Sequence, residues 1–182
     1  MFKILETKPK LSQWSNLKSA MNHFEISDGL ASWLTEKNLL TSKLKKNVSN
    51  FRFQVLNEHI DSSVEDAHRA FFTREIIMFS GNRPYILGQT KATNLAIQEH
   101  PWISRLGENT LGEALRDIQE VTRSKFTYNC FDIKKTELKN MEVSTHHNNK
   151  PLIWARRSIF TLGESNLSTV ELFLPGIEDL VN

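Results

Sequence analysis

The sequence predicts an α+β fold built on a single antiparallel β-sheet, and three observations carry that prediction. Helical periodicity is confined to short stretches, mostly near the N-terminus. From Phe51 onward, successive segments alternate apolar and polar residues as half-buried strands do. The segments are joined by turns such as Gly81-Asn82-Arg83-Pro84 and Gly163-Glu164-Ser165-Asn166. Such joins are too short for the crossovers that parallel strands require, so neighbouring strands run antiparallel. A length of 182 residues is that of one domain, expected to span 1–182, with enough chain to bury a sizeable core.

The elements follow in order. Ser27-Asp28 caps a short helix whose apolar face is Leu30, Trp33 and Leu34, spaced i, i+3, i+4. A second short helix carries Leu39, Leu40 and Leu44 and includes the basic cluster Lys43, Lys45 and Lys46. Residues 51–55 alternate as a strand, and the polar, acidic residues 59–69 read as a loop. Residues 70–80 form a strong strand and 85–93 return beside it, giving a β-hairpin on the turn at 81–84. Residues 101–106 are a short apolar stretch. Thr110-Leu111-Gly112-Glu113 matches a capping box, with a helix running through Ala114 and Leu115 towards Val121. Residues 125–133 alternate, with Phe126, Tyr128 and Cys130 on one side. Residues 139–150 are a polar loop containing His146-His147. Two further strands occupy 153–162 and 168–174, and Pro175-Gly176 ends the last.

Composition narrows the function. Lys+Arg 23 against Asp+Glu 21 leaves +2, without the strong basic excess of a dedicated nucleic-acid binder. The first 50 residues hold eight lysines and four acids, enough to bias a small anion. One cysteine, Cys130, excludes a disulfide framework and a cysteine-rich zinc site, and its alternation with Phe126 and Tyr128 assigns it to core packing. His23, His59, His68 and His100 lack ligand spacing, and the adjacent pair His146-His147 is a poor chelate. No phosphate-cradling glycine loop and no serine nucleophile elbow is present. The N-terminal residues have charges where a signal peptide is apolar. No run reaches the roughly 18 apolar residues of a membrane-spanning helix. The expected setting is the cytoplasm.

Two ions stand out by the faces they occupy. In 70–80, period-2 geometry aligns Phe72, Arg74, Ile76 and Met78, so Arg74 is the lone charge in an apolar row. In 167–174, Glu171 is the only charge and shares its face with Thr169 and Phe173. An ion on such a row costs several kcal/mol unless it finds a partner. Two readings stand. Arg74 and Glu171 pair with each other, or Arg74's row faces solvent; alternatively, the two line a pocket for a ligand with an anionic end and a hydroxylic end. The planar guanidinium fork suits a carboxylate, and a desolvated glutamate holds its proton more readily and can share it with a hydroxyl. Leu111 adds a first-turn amide with no intrahelical acceptor, although an ordinary capped helix has the same feature.

The residues Arg74-Glu75-Ile76-Ile77, the Thr110-Leu111-Gly112 turn, Trp154-Ala155-Arg156-Arg157-Ser158 and Thr169-Val170-Glu171-Leu172-Phe173-Leu174-Pro175 resemble the chorismate lyase family over about 33–175. The order and spacing of the W-x-R-R-S and E-L-F-L-P blocks are the most specific part. The resemblance implies an antiparallel sheet with helices, some forming flaps over a buried ligand cavity. It implies elimination of pyruvate from chorismate to leave 4-hydroxybenzoate, in bacterial ubiquinone synthesis, with neither metal nor organic cofactor. Arg74 then holds the ring carboxylate and Glu171 meets the 4-oxygen, these two being the catalytic residues. Leu40 and Leu111 complete the substrate-binding set with backbone amides and apolar walls. The partners implied are the substrate chorismate and the product 4-hydroxybenzoate, with no nucleic acid and no integral membrane segment, and a monomer is expected. Gln89 stands where the family usually carries a basic residue, which weakens a second carboxylate contact or passes it to Lys91. The stretch 134–150 reads as a surface insertion.

Two other functions are consistent with parts of the sequence. A non-catalytic sensor of small aromatic acids has a similar sheet in some transcription regulators, but the first 26 residues are too short for a helix-turn-helix module. A module binding nucleic acid or anionic lipid would act through Lys43, Lys45 and Lys46, but cations near a helix C-terminus are common without any such partner.

Overall fold

The computed structural model describes residues 9–11, 13–63, 66, 69–132 and 152–180. The expectations for the extreme N-terminus, for His68, for His146-His147 and for the surface insertion lie outside the described residues.

One antiparallel sheet organises the chain, in an α+β fold as expected. Its strands are β1 (Phe51–Ile60), β2 (Ala70–Ser80), β3 (Arg83–Thr93), β4 (Val121–Arg123), β5 (Thr127–Asp132), β6 (Leu152–Leu162) and β7 (Ser165–Phe173). They run in the order β1-β2-β3-β7-β6-β4, and β5 also pairs with β6. β4 and β5 therefore share one edge of β6, β5 along residues 152–157 and β4 along 160–162. The helices are α1 (Leu17–Met21), α2 (Asp28–Leu34), α3 (Leu40–Asn47), α4 (Asn94–Glu99) and α5 (Leu111–Arg116), with a 3-10 turn at Pro101–Arg105.

Local signals account for most of these boundaries. Ser27 caps α2 by accepting from Leu30 N–H, and Thr110 and Glu113 form the reciprocal capping box of α5. α5 stops at Arg116 and does not run towards Val121, which opens β4 instead. The helix is capped at Asp117, and beyond it Glu120, whose φ of 63° lies in the left-handed region, turns the chain into β4. β1 extends to Ile60 and takes up the start of the expected 59–69 loop. α1 and α4 were not anticipated: five and six residues are too few for a periodic signal.

Across the strands, residues on one face form rows. The first row is Phe53, Met78, Ile86, Phe173, Trp154 and Cys130. It packs against Trp33 and Leu34 of α2 and Leu40 and Leu44 of α3. Full burial of each large side chain contributes about 1.5–3 kcal/mol. Burial pushes the Cys130 thiol up to about 11, so it stays protonated and acts as a packing residue. A parallel row six residues further along, Phe72, Ala92, Leu167 and Phe160, packs against Ala96 of α4, Ile103 and Leu115 of α5. The opposite face carries its own apolar cluster, including Ile77, Leu87, Leu172 and Ile153.

Two rows lie between these helix-covered ends. One is Val55, Ile76, Gly88, Glu171, Arg156 and Tyr128; the other is Glu58, Arg74, Thr90, Thr169 and Ser158. Four ions, Glu58, Arg74, Arg156 and Glu171, sit in these two rows, in the gap left by the helices.

The basic cluster is largely tied down. Lys43 Nζ donates to Ser32 Oγ and its carbonyl at 2.8 Å and lies 3.6 Å from Glu36. Lys45 reaches Glu113 of α5 at 3.4 Å. Among the described residues, no helix is long and apolar enough to cross a membrane.

Candidate active site

A cavity of about 520 Å³ lies over the two central rows. Its floor includes Arg74, Ile76, Gly88, Thr90, Arg156 and Glu171, and its roof is the starts of α3 and α5. Leu39 and Gly112 meet in that roof. A Cβ at Gly112 would stand 2.6 Å from Leu39 Cδ2, so a side chain there would require the Leu39 side chain to shift. In the floor, a Cβ at Gly88 would stand 2.8 Å from Ile76 Cγ1. Gly88→Val therefore fills the floor and displaces Ile76. The expected outcome is at least a tenfold loss of ligand affinity, read by tryptophan fluorescence, with about 1–3 kcal/mol of overpacking cost in thermal unfolding.

All four residues singled out in the sequence line this cavity: Leu40, Arg74, Leu111 and Glu171. Leu40 and Leu111 are the first residues of α3 and α5. Their N–H groups belong to the first helical turn, which has no intrahelical acceptor.

Arg74 is 2% exposed. Its Nη2 donates to the Gly107 carbonyl at 2.5 Å, and its Nε lies 3.3 Å from Glu58 Oε1 without hydrogen-bond alignment. Nε and Nη1 are buried and make no hydrogen bond. Glu58 faces Arg74 because a bulge between Val55 and Asn57 shifts the alternation of β1. Burial pulls the Arg74 pKa below the usual arginine value and Glu58 opposes that pull; the guanidinium stays charged at neutral pH. A buried cation with unfilled donors is costly by itself, and an entering carboxylate offsets that cost.

Glu171 does not pair with Arg74. Its Oε2 accepts from Arg156 Nε at 2.5 Å. Arg156 is 1% exposed and also donates through Nη1 to the carbonyls of Leu34 at 3.2 Å and Glu36 at 2.5 Å. Leu34 is the last residue of α2, where intrahelical donors run out, and Glu36 follows its cap. The guanidinium lies 4.2 Å from the Phe126 ring centroid. The two ions thus have separate partners, with the cavity floor between them. From strand spacing, two strands across and about two residues along, their Cα atoms are about 12 Å apart.

Sequence reasoning missed Arg156 and Arg123 as lining residues. The signal for Arg156 was present: Trp154, Arg156, Ser158 and Phe160 share a face of β6, making it a lone charge in the same sense as Arg74. Arg123, in the three-residue strand β4, gave no periodic signal. The expectation that Lys91 takes over a carboxylate contact is corrected by strand parity. Gln89 donates to Glu75 at 3.0 Å on the far side of the sheet from Arg74, and Lys91 is exposed on that same side.

Comparison with known proteins adds the following. A family model described as chorismate lyase matches residues 13–181. A probable chorismate pyruvate-lyase of Pasteurella multocida (strain Pm70) is 29% identical over 153 residues, 80% of each chain. One from Psychromonas ingrahamii is 24% identical over 157 residues, 82% of this chain and 84% of its own. Among solved structures, a GntR-family transcriptional regulator from Bacillus cereus aligns with a TM-score of 0.43 and 13% identity, over 70% of this chain and 93% of that one.

Proposed function

The chain belongs to the chorismate lyase family, and from that premise we propose that it is a cytoplasmic carbon–oxygen lyase that eliminates pyruvate from chorismate and leaves 4-hydroxybenzoate for ubiquinone synthesis. The observation that carries this reading is the buried Arg74 with unfilled donors, sharing one cavity with Glu171. A hydroxylated cyclic acid matches both ends.

In this mechanism Arg74 receives the ring carboxylate, joined by the first-turn amides of Leu40 and Leu111. Glu171 meets the oxygen on the opposite ring carbon, held at a fixed angle by Arg156. The ether C–O bond to the neighbouring ring carbon breaks, and its electron pair leaves with the enolpyruvyl oxygen. The hydroxyl-bearing carbon loses its hydrogen as a proton, whose bonding pair completes the aromatic ring. A proton reaches the enolpyruvyl methylene, which becomes the methyl group of pyruvate. Atoms and charge balance without water or a redox partner. Aromatisation makes the reaction downhill, so the protein's work is to hold the reactive conformer and to stabilise charge on the breaking bond. Apolar walls such as Ile76 and Leu111 also favour the aromatic product, so its release is expected to be slow.

The test is a coupled pyruvate assay on the purified chain with chorismate. Pyruvate and 4-hydroxybenzoate should appear in equal amounts, unaffected by a metal chelator. Tight 4-hydroxybenzoate binding without pyruvate formation would overturn the lyase reading in favour of a sensor.

A further inference from the structure

Chorismate carries a second carboxylate, on the enolpyruvyl group, and the cavity offers a cation held in place to meet it. Among the described residues the cavity is lined by three arginines of the sheet, Arg74, Arg123 and Arg156, and by Lys37 and Arg116 outside it. Arg74 faces Glu58, and Arg156 is bound to Glu171. Arg123 has no carboxylate partner among the described residues. It is nevertheless held in place: Nη2 donates to the Lys37 carbonyl at 2.7 Å, and the guanidinium stacks 4.5 Å from the Phe126 ring and 5.8 Å from Phe160. A cation stacked on aromatic rings and pinned by one N–H is preorganised for an anion.

Its position matches the missing contact. Arg123 lies opposite Phe160 on β6, close enough to Arg156 and Glu171 to feel both charges. Partial desolvation of its inner side and then the nearby Arg156 charge lower its pKa, and Glu171 opposes both. On the lyase reading, the enolpyruvyl ether is attached next to the carbon whose oxygen meets Glu171. Its carboxylate therefore projects from the Glu171 side of the ring, away from Arg74. Arg123 is exposed, at the rim of the cavity, where a leaving group can depart. We propose that Arg123 binds the enolpyruvyl carboxylate of chorismate and so distinguishes substrate from product, because 4-hydroxybenzoate has no such group.

The inference rests on the lyase reading, and the experiment separates the two. In Arg123→Gln, kcat/KM for chorismate should fall about 10- to 100-fold, as for loss of one charge-assisted contact. The Kd of 4-hydroxybenzoate should stay within about twofold. A ligand pair tests the wild type directly: 3-(carboxymethoxy)-4-hydroxybenzoate against its side-chain methyl ester. The free acid should bind about tenfold more tightly, and Arg123→Gln should erase the difference. Equal wild-type affinities for acid and ester overturn the proposal whether or not the variant folds. An Arg123→Gln variant that weakens 4-hydroxybenzoate as much as chorismate overturns it too, since that marks a structural role. If the wild type releases no pyruvate, the lyase reading fails, while the ligand pair still reports on Arg123.

Discussion

Arg74→Ala is expected to lower kcat/KM for chorismate by about three orders of magnitude, because a two-pronged carboxylate contact in a site screened from water is lost. The affinity for 4-hydroxybenzoate should fall with it, since both ligands share the ring carboxylate. Stability should change little. In the unliganded protein Arg74 is buried with Nε and Nη1 unsatisfied, so its removal relieves a desolvation cost while opening a void. Glu58, which it leaves behind, is 35% exposed and keeps part of its hydration. The pairing of a large kinetic loss with a melting temperature shifted by only a few degrees is the signature to check, by pyruvate release and thermal unfolding. Turnover near the wild-type value would reject the assignment of Arg74 to the substrate.

Arg156→Met should behave in the opposite way, failing in stability first. One guanidinium there satisfies Glu171 and the carbonyls of Leu34 and Glu36. Its loss leaves a carboxylate, 26% exposed, and two carbonyls without their donor. Removing one partner of a buried ion pair costs about 3–5 kcal/mol, roughly 10 °C in melting temperature for a chain of this length. Turnover at a temperature where the variant is folded should also drop, because Glu171 loses the contact that orients it. The double variant Arg156→Met with Glu171→Gln should recover part of the lost stability, since no unpaired charge is left, and none of the activity. A double variant no more stable than Arg156→Met alone would show that the carbonyl contacts, and not the ion pair, carry the cost.

The contrast between these two arginines shows how far the sequence can be read. Each is the lone charge in an alternating apolar row, and that much follows from period-2 geometry in a single strand. The chain order alone does not tell that Arg74 meets Glu58 and that Arg156 meets Glu171. Glu58 reaches Arg74 only because a bulge in β1 shifts its alternation. Glu171 meets Arg156 because β7 lies between β3 and β6, with that pair in register.

What the sequence by itself determined is therefore local: the strand faces, the capped starts of α2 and α5, the turn at 81–84, and the isolation of Arg74 and Glu171 on apolar rows. Each depends on residues within a few positions of one another, where backbone geometry and capping chemistry act directly. Only the tertiary structure decided the ion partners, the far-side placement of Gln89 and Lys91, and the entry of Arg123 and Arg156 into the cavity. Those outcomes depend on strand order and register, which are set by burying two apolar rows under separate groups of helices. The gap between the groups is where the cavity lies.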